Sequence, residues 1–215
     1  MFQSEVKQLR LLTKKQAIKQ KGYSIIELSI ALAIISIILV TSLAGVQRVL
    51  RSNNLNNELK VVQLGIASLG TLLANATTTS GITSSGVINL KSFDGFQVDT
   101  TNNLYKNSFG GLIYVESNNA AIGSFNANTG FILTTTNIPP EICVDYLNAL
   151  SNIATQLSAS NSNYSSDGKL ATKDAMQANV VKDVGGTLDI SKLATACTVT
   201  SAKPKVNISA FIAKS

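Results

Sequence analysis

The stretch Lys21-Gly22-Tyr23-Ser24-Ile25-Ile26-Glu27-Leu28 runs without a break into an apolar segment, and its reading decides the fold. Residues 28–46 are 19 residues without a charge. At about 1.5 Å per helical residue they cover most of a bilayer core of about 30 Å. The sequence therefore predicts one membrane-spanning helix over residues 23–46. Glu27 stands at its entrance, where an ionisable side chain is costly and calls for a partner. A cut after Gly22 would supply one, because the new α-amino group on Tyr23 would lie four residues from Glu27 at the end of the same helix.

A basic leader ending in Gly22, the aromatic Tyr23 directly after it, Glu27 at the fifth position and then an apolar helix resemble, in type and spacing together, the N-terminus of type IV prepilins. The resemblance covers residues 1–50. It implies cleavage after Gly22 by a prepilin peptidase, N-methylation of Tyr23, and assembly into a filament with Glu27 as an assembly contact. A competing reading is an ordinary secretory signal cut between Ala44 and Gly45, after Ser42-Leu43-Ala44. That reading leaves Glu27 inside the apolar stretch unexplained, needs a long charged n-region, and cuts through a helical pattern that continues.

The formal charge is +6 over 215 residues. Residues 1–22 hold Lys7, Arg10, Lys14, Lys15, Lys19 and Lys21 against Glu5, a balance of +5, which leaves +1 for residues 23–215. The basicity thus belongs to the leader and is no nucleic-acid footprint. By the positive-inside rule it keeps the N-terminus in the cytoplasm and sends the rest across the inner membrane. Val6, Leu9, Leu12 and Ile18 also give the leader some amphipathic spacing, compatible with a helix lying on the membrane surface.

Cys143 and Cys197 then sit on the oxidising side, where disulfides persist. One bridge between them is the first reading, and two unpaired buried thiols the second. The chain has no histidine, which excludes His-based catalytic triads and imidazole zinc sites. Two cysteines alone make no metal cage, and no nucleophile stands beside a base. The sequence thus points to no enzyme, cofactor or metal.

Beyond the membrane segment, Leu55, Leu59, Val62, Ile66, Leu69 and Leu73 recur at helical spacing, and no proline precedes Pro139. One helix over residues 24–73, about 75 Å long, is predicted. Its second half would pack the apolar stripe on a sheet; a partner helix is the other use for such a stripe. The asparagines at 53, 54, 56 and 57, with Gly45, Gly65 and Gly70, are its weak points in propensity. Residues 77–86 read as a polar loop. Residues 87–90, 93–98, 112–115 and 130–136 read as strands. A second helix starts at Pro139-Pro140-Glu141 and keeps its spacing through Cys143, Leu147, Leu150, Ala154 and Leu157. A Ser/Asn-rich loop over 158–166, a weaker helix over 172–180 with Thr172 as N-cap, and a last strand over 205–212 complete the expectation. The fold class is α+β: a long N-terminal helix, membrane half plus amphipathic half, on an antiparallel sheet, with one or two short helices in a disulfide-linked C-terminal region.

The 22-residue leader, the turn Asn107-Ser108-Phe109-Gly110-Gly111, the run Thr134-Thr135-Thr136-Asn137-Ile138-Pro139 before the Cys143 helix, and the late second cysteine resemble type IVb pilins. That resemblance implies three parts: a cleaved leader, 1–22; a transmembrane and filament-core helix, 23–46; and a periplasmic, later extracellular, globular head, 47–215. It implies a subunit held in inner-membrane lipid, processed by prepilin peptidase, and polymerised with its own copies by the pilus assembly machinery. The resulting surface filament would serve adhesion and aggregation, toward a surface ligand the sequence does not name. A minor pilin, a type II secretion pseudopilin and a single-pass envelope binding module are the alternatives.

Overall fold

The structure, a computed structural model, describes residues 24–160, 176, 179–200 and 204–214. The leader, Gly22 and Tyr23 lie outside the described residues. So does most of the helix expected over 172–180, of which Met176 is helical and Val180 already opens a strand.

The first helix, α1, spans Ile25–Leu73 without interruption. Its asparagines and glycines do not break it, since each costs at most about 1 kcal/mol and no proline intervenes. Inside its apolar part the hydroxyls turn back on the helix. Ser29 donates to the Ile26 carbonyl at 2.8 Å, Ser36 to Leu32 at 2.7 Å and Thr41 to Ile37 at 3.1 Å. Polar side chains satisfied by their own helix are what a segment in lipid requires.

The chain forms two compact units, Met1–Gln47 and Arg48–Ser215. The second holds a seven-stranded sheet built from β1 (Gln97–Asp99), β2 (Leu104–Lys106), β3 (Leu112–Ser117), β4 (Gly130–Ile138), β5 (Gln156–Ser160), β6 (Val180–Lys182) and β7 (Val206–Ala213). The strand order is β1-β2-β3-β4-β7-β5-β6, and every neighbouring pair is antiparallel. The last strand therefore lies inside the sheet, pairing Leu133 with Ala210 on one side and Leu157 with Ala210 on the other.

The apolar stripe of α1 covers this sheet as predicted. Leu55, Val62 and Leu69 are buried in one core with Ile113, Leu133, Leu157 and Ile208, and Leu59, Ile66 and Leu73 flank it. Gly65 lies on the same buried face, and a Cβ there would stand 2.0 Å from the Phe93 ring. The ring thus rests on helix backbone and continues to Tyr105, with centroids 5.9 Å apart. A smaller cluster of Ile122, Ile132, Met176 and Phe211 is separate from this core. It follows from the alternation of side chains along β4 and β7.

The second long helix, α3 (Pro140–Ser151), has its proline in the first turn and buries Ile142, Cys143, Tyr146, Leu147 and Leu150. Lys182 closes its far end, donating to the carbonyls of Ser151 at 2.6 Å and Ala154 at 2.7 Å. A lysine ammonium on those carbonyls satisfies groups the helix leaves open. The expected extension of this helix to Leu157 is corrected: the chain turns at Asn152 and Leu157 lies in β5. The loop expected from Ser158 is likewise corrected, because residues 158–160 are strand, held between β7 and β6.

Residues 87–90 are no strand. They lie in and just after α2 (Ser84–Asn89), whose N-cap Thr83 accepts a hydrogen bond from the Gly86 amide at 3.2 Å. A satisfied cap outweighs two β-branched residues in so short a run. Of the strand expected over 93–98 only Gln97 and Val98 fall in β1, since Phe93 turns into the core. A last helix, α4 (Ile190–Ala196), follows its N-cap Asp189, which accepts from the Ser191 and Lys192 amides.

Candidate functional site

Among the described residues two groups carry chemistry, and the first is at the start of α1. Glu27 is the acidic residue of its first turn and is exposed. Around and beyond it the apolar side chains are uncovered: Ile25 is 87% exposed, Ile37 66% and Leu50 55%. An apolar helix surface of this length has no place in water and marks a surface that lipid or other protein covers. By length and composition this helix is fit to cross a membrane. Gly22 and Tyr23, the expected cleavage and methylation positions, fall outside the described residues.

The second group lies on the buried stretch of α1. Glu58 has no exposed surface. The Ser108 amide donates to its Oε2 at 2.9 Å, and the Tyr146 hydroxyl to its Oε1 at 3.0 Å. Thr135 Oγ1 stands 3.5 Å from Oε1. Burial raises the Glu58 carboxyl above its ordinary range, while these donors pull it down. Burial, with the Glu58 charge beside it, likewise pushes the Tyr146 phenol well up.

Ser108 belongs to the Asn-Ser-Phe-Gly-Gly turn, and the asparagine shapes that turn. Asn107 Oδ1 accepts from the amides of Phe109 at 3.0 Å and Gly111 at 2.7 Å, and Nδ2 donates to the Thr136 carbonyl at 2.6 Å. Gly110 has φ +78°, and a Cβ on Gly111 would fall 2.0 Å from the Thr136 carbonyl oxygen. Each glycine is thus required, the first by conformation and the second by close approach.

Sequence reading missed Glu58. The signal was present: Glu58 falls three residues after Leu55 and four before Val62, on the buried stripe itself. Cys143 and Cys197 are bonded, with Cα atoms 5.7 Å apart. Among the described residues no group of three His, Cys, Asp or Glu stands ready to hold a metal ion.

The family known as the prokaryotic N-terminal methylation motif matches residues 18–43, and the PilS N terminal family matches residues 51–210. The chain belongs to the PilS family of type IV pilins. As a pilin it is a structural subunit of a pilus and not an enzyme. The major structural subunit of the bundle-forming pilus of Escherichia coli O111:H- is 27% identical to it over 189 residues, 87% of this chain and 92% of that subunit. The same subunit of Escherichia coli O127:H6 (strain E2348/69 / EPEC) shares 27% identity over 189 residues, with the same coverage. Among solved structures, the type IVb pilin of Salmonella typhi is similar at a TM-score of 0.49 and 17% identity, covering 76% of this chain and 99% of that one. TcpA, a type IV pilin of Vibrio cholerae El Tor biotype, has a TM-score of 0.45 at 15% identity, covering 74% of this chain and 98% of that one.

Proposed function

We propose that this pilin is a structural subunit of a type IVb pilus, cleaved after Gly22 by prepilin peptidase and N-methylated on Tyr23. The observation that carries the reading is the start of α1: Glu27 in the first turn, followed by an apolar surface left uncovered. Before assembly the segment 23–46 anchors the subunit in the inner membrane with the leader in the cytoplasm. After assembly it forms the filament core, and residues 47–215 form the head on the fibre surface.

Glu27 acts at the transfer between these states. A carboxylate in an apolar surrounding is unfavourable unless paired, and cleavage after Gly22 creates an amine on Tyr23 to pair with it. Between subunits that pair sets axial register, because a misplaced helix leaves both charges unpaired in a medium of low dielectric constant. The similarity to the major structural subunit of a bundle-forming pilus supports polymerisation into a filament; adhesion and aggregation are the roles we propose for that filament. The test is to shear fibres from cells and identify this polypeptide in them. Fibres that lack it, in cells where the processed protein stays in the membrane, would instead favour an anchored envelope module.

A further inference from the structure

Glu58 takes no part in the assembly chemistry above, yet three separate parts of the head converge on it. Ser108 of the 107–111 turn, Tyr146 of α3 and Thr135 of β4 each bring a polar atom to its carboxyl group. None is a cation. The charges on the packed elements are committed or exposed. Arg51 of α1 pairs with Glu141 of α3 at 3.3 Å, and Lys106, just before the turn, pairs with Asp99 at 3.4 Å. Lys60 of α1 and Asp145 of α3 are exposed. A buried carboxylate without a cation is costly, and a proton removes the cost.

The surrounding atoms accept that proton once a hydroxyl hydrogen turns away. The Ser108 amide can only donate, so Oε2 remains an acceptor in both forms. The hydroxyls of Tyr146 and Thr135 face Oε1 and rotate, so either can change from donor to acceptor when Oε1 carries a proton. We propose that Glu58 is a proton-operated latch that fastens the long helix to the 107–111 turn and to α3, tight when protonated and loosened when ionised.

The direction follows from linkage. The folded carboxyl titrates above its ordinary value of 4.5 because burial outweighs its hydrogen bonds. A raised carboxyl adds stability that is fully present below the unfolded value and is lost as the pH rises to the folded one. Between the two, the folding constant falls as the pH rises, by at most about tenfold per pH unit. The contribution of Glu58 to the hold on the head is therefore greatest in mild acid.

The test uses the full chain in detergent micelles, unfolded by denaturant at a series of pH values between about 4 and 8. The wild-type midpoint should fall as pH rises. Glu58→Gln, which keeps the size and hydrogen-bonding capacity of the neutral form, should show a flatter profile and exceed wild type at the upper end. Tyr146→Phe removes a donor to the carboxylate and should extend the falling part of the profile to higher pH. Infrared difference spectra of wild type against Glu58→Gln should show a protonated-carboxyl band that disappears over the same range. An equal pH dependence in Glu58→Gln, or no such difference band at any pH of the series, would overturn the proposal.

Discussion

Cys143, on the buried face of α3, is bonded to Cys197, the residue that caps α4, across a sequence separation of 54. The helix α4 has seven residues and buries one side chain of its own, Leu193. A helix this short is not stable by itself, so the bond is a principal hold on it. Replacing both cysteines by serine should cost the fold about 2–5 kcal/mol. Amide exchange over residues 190–196 should rise before that of β4 and β7. An unchanged unfolding midpoint, with α4 as protected as in wild type, would show that packing alone holds this region.

Gly65 and Gly70 should respond in opposite directions to alanine. At Gly65 the new Cβ would stand 2.0 Å from the Phe93 ring, whereas at Gly70 it would meet nothing within 4 Å. Gly65→Ala should destabilise by about 1–3 kcal/mol through overpacking. Gly70→Ala should stabilise by about 0.5–1 kcal/mol through helix propensity. Denaturant midpoints of the two variants check this; equal effects would mean that Phe93 does not lie on α1.

Glu27→Ala should leave membrane insertion and Gly22 cleavage largely intact while abolishing or greatly reducing fibres. Glu27→Asp, one methylene shorter, should assemble poorly. Immunoblots of the membrane fraction and fibre counts by electron microscopy in the same cells give the two readings. Normal fibre numbers with processed Glu27→Ala protein would remove the carboxylate from the assembly contact.

The long helix was legible because its stripe repeats over many turns and its start carries a motif. The burial of Glu58 was legible too, from its place between Leu55 and Val62 on that stripe, but its partners were not, because Ser108, Thr135 and Tyr146 lie 50 to 88 residues away. The strands of β4 and β7 announced themselves through β-branched runs and alternation. The place of β7 between β4 and β5 is set by pairings across more than 40 residues, which no local pattern contains. The segment Gln156–Ser160 divides in the sequence between the end of the second helix, at Leu157, and a Ser/Asn-rich loop from Ser158. It becomes strand because it fills the position beside β7, and Lys182 from its other neighbour ends the helix that would have continued into it.

Processing at Gly22 followed by incorporation into a filament is the central claim, and mass spectrometry of the N-terminal peptide from sheared, purified fibres tests it most directly. The account predicts a polypeptide that begins at Tyr23 and carries one methyl group on its α-amine. A chain that begins at Gly45, or fibres in which this polypeptide is missing, would contradict it.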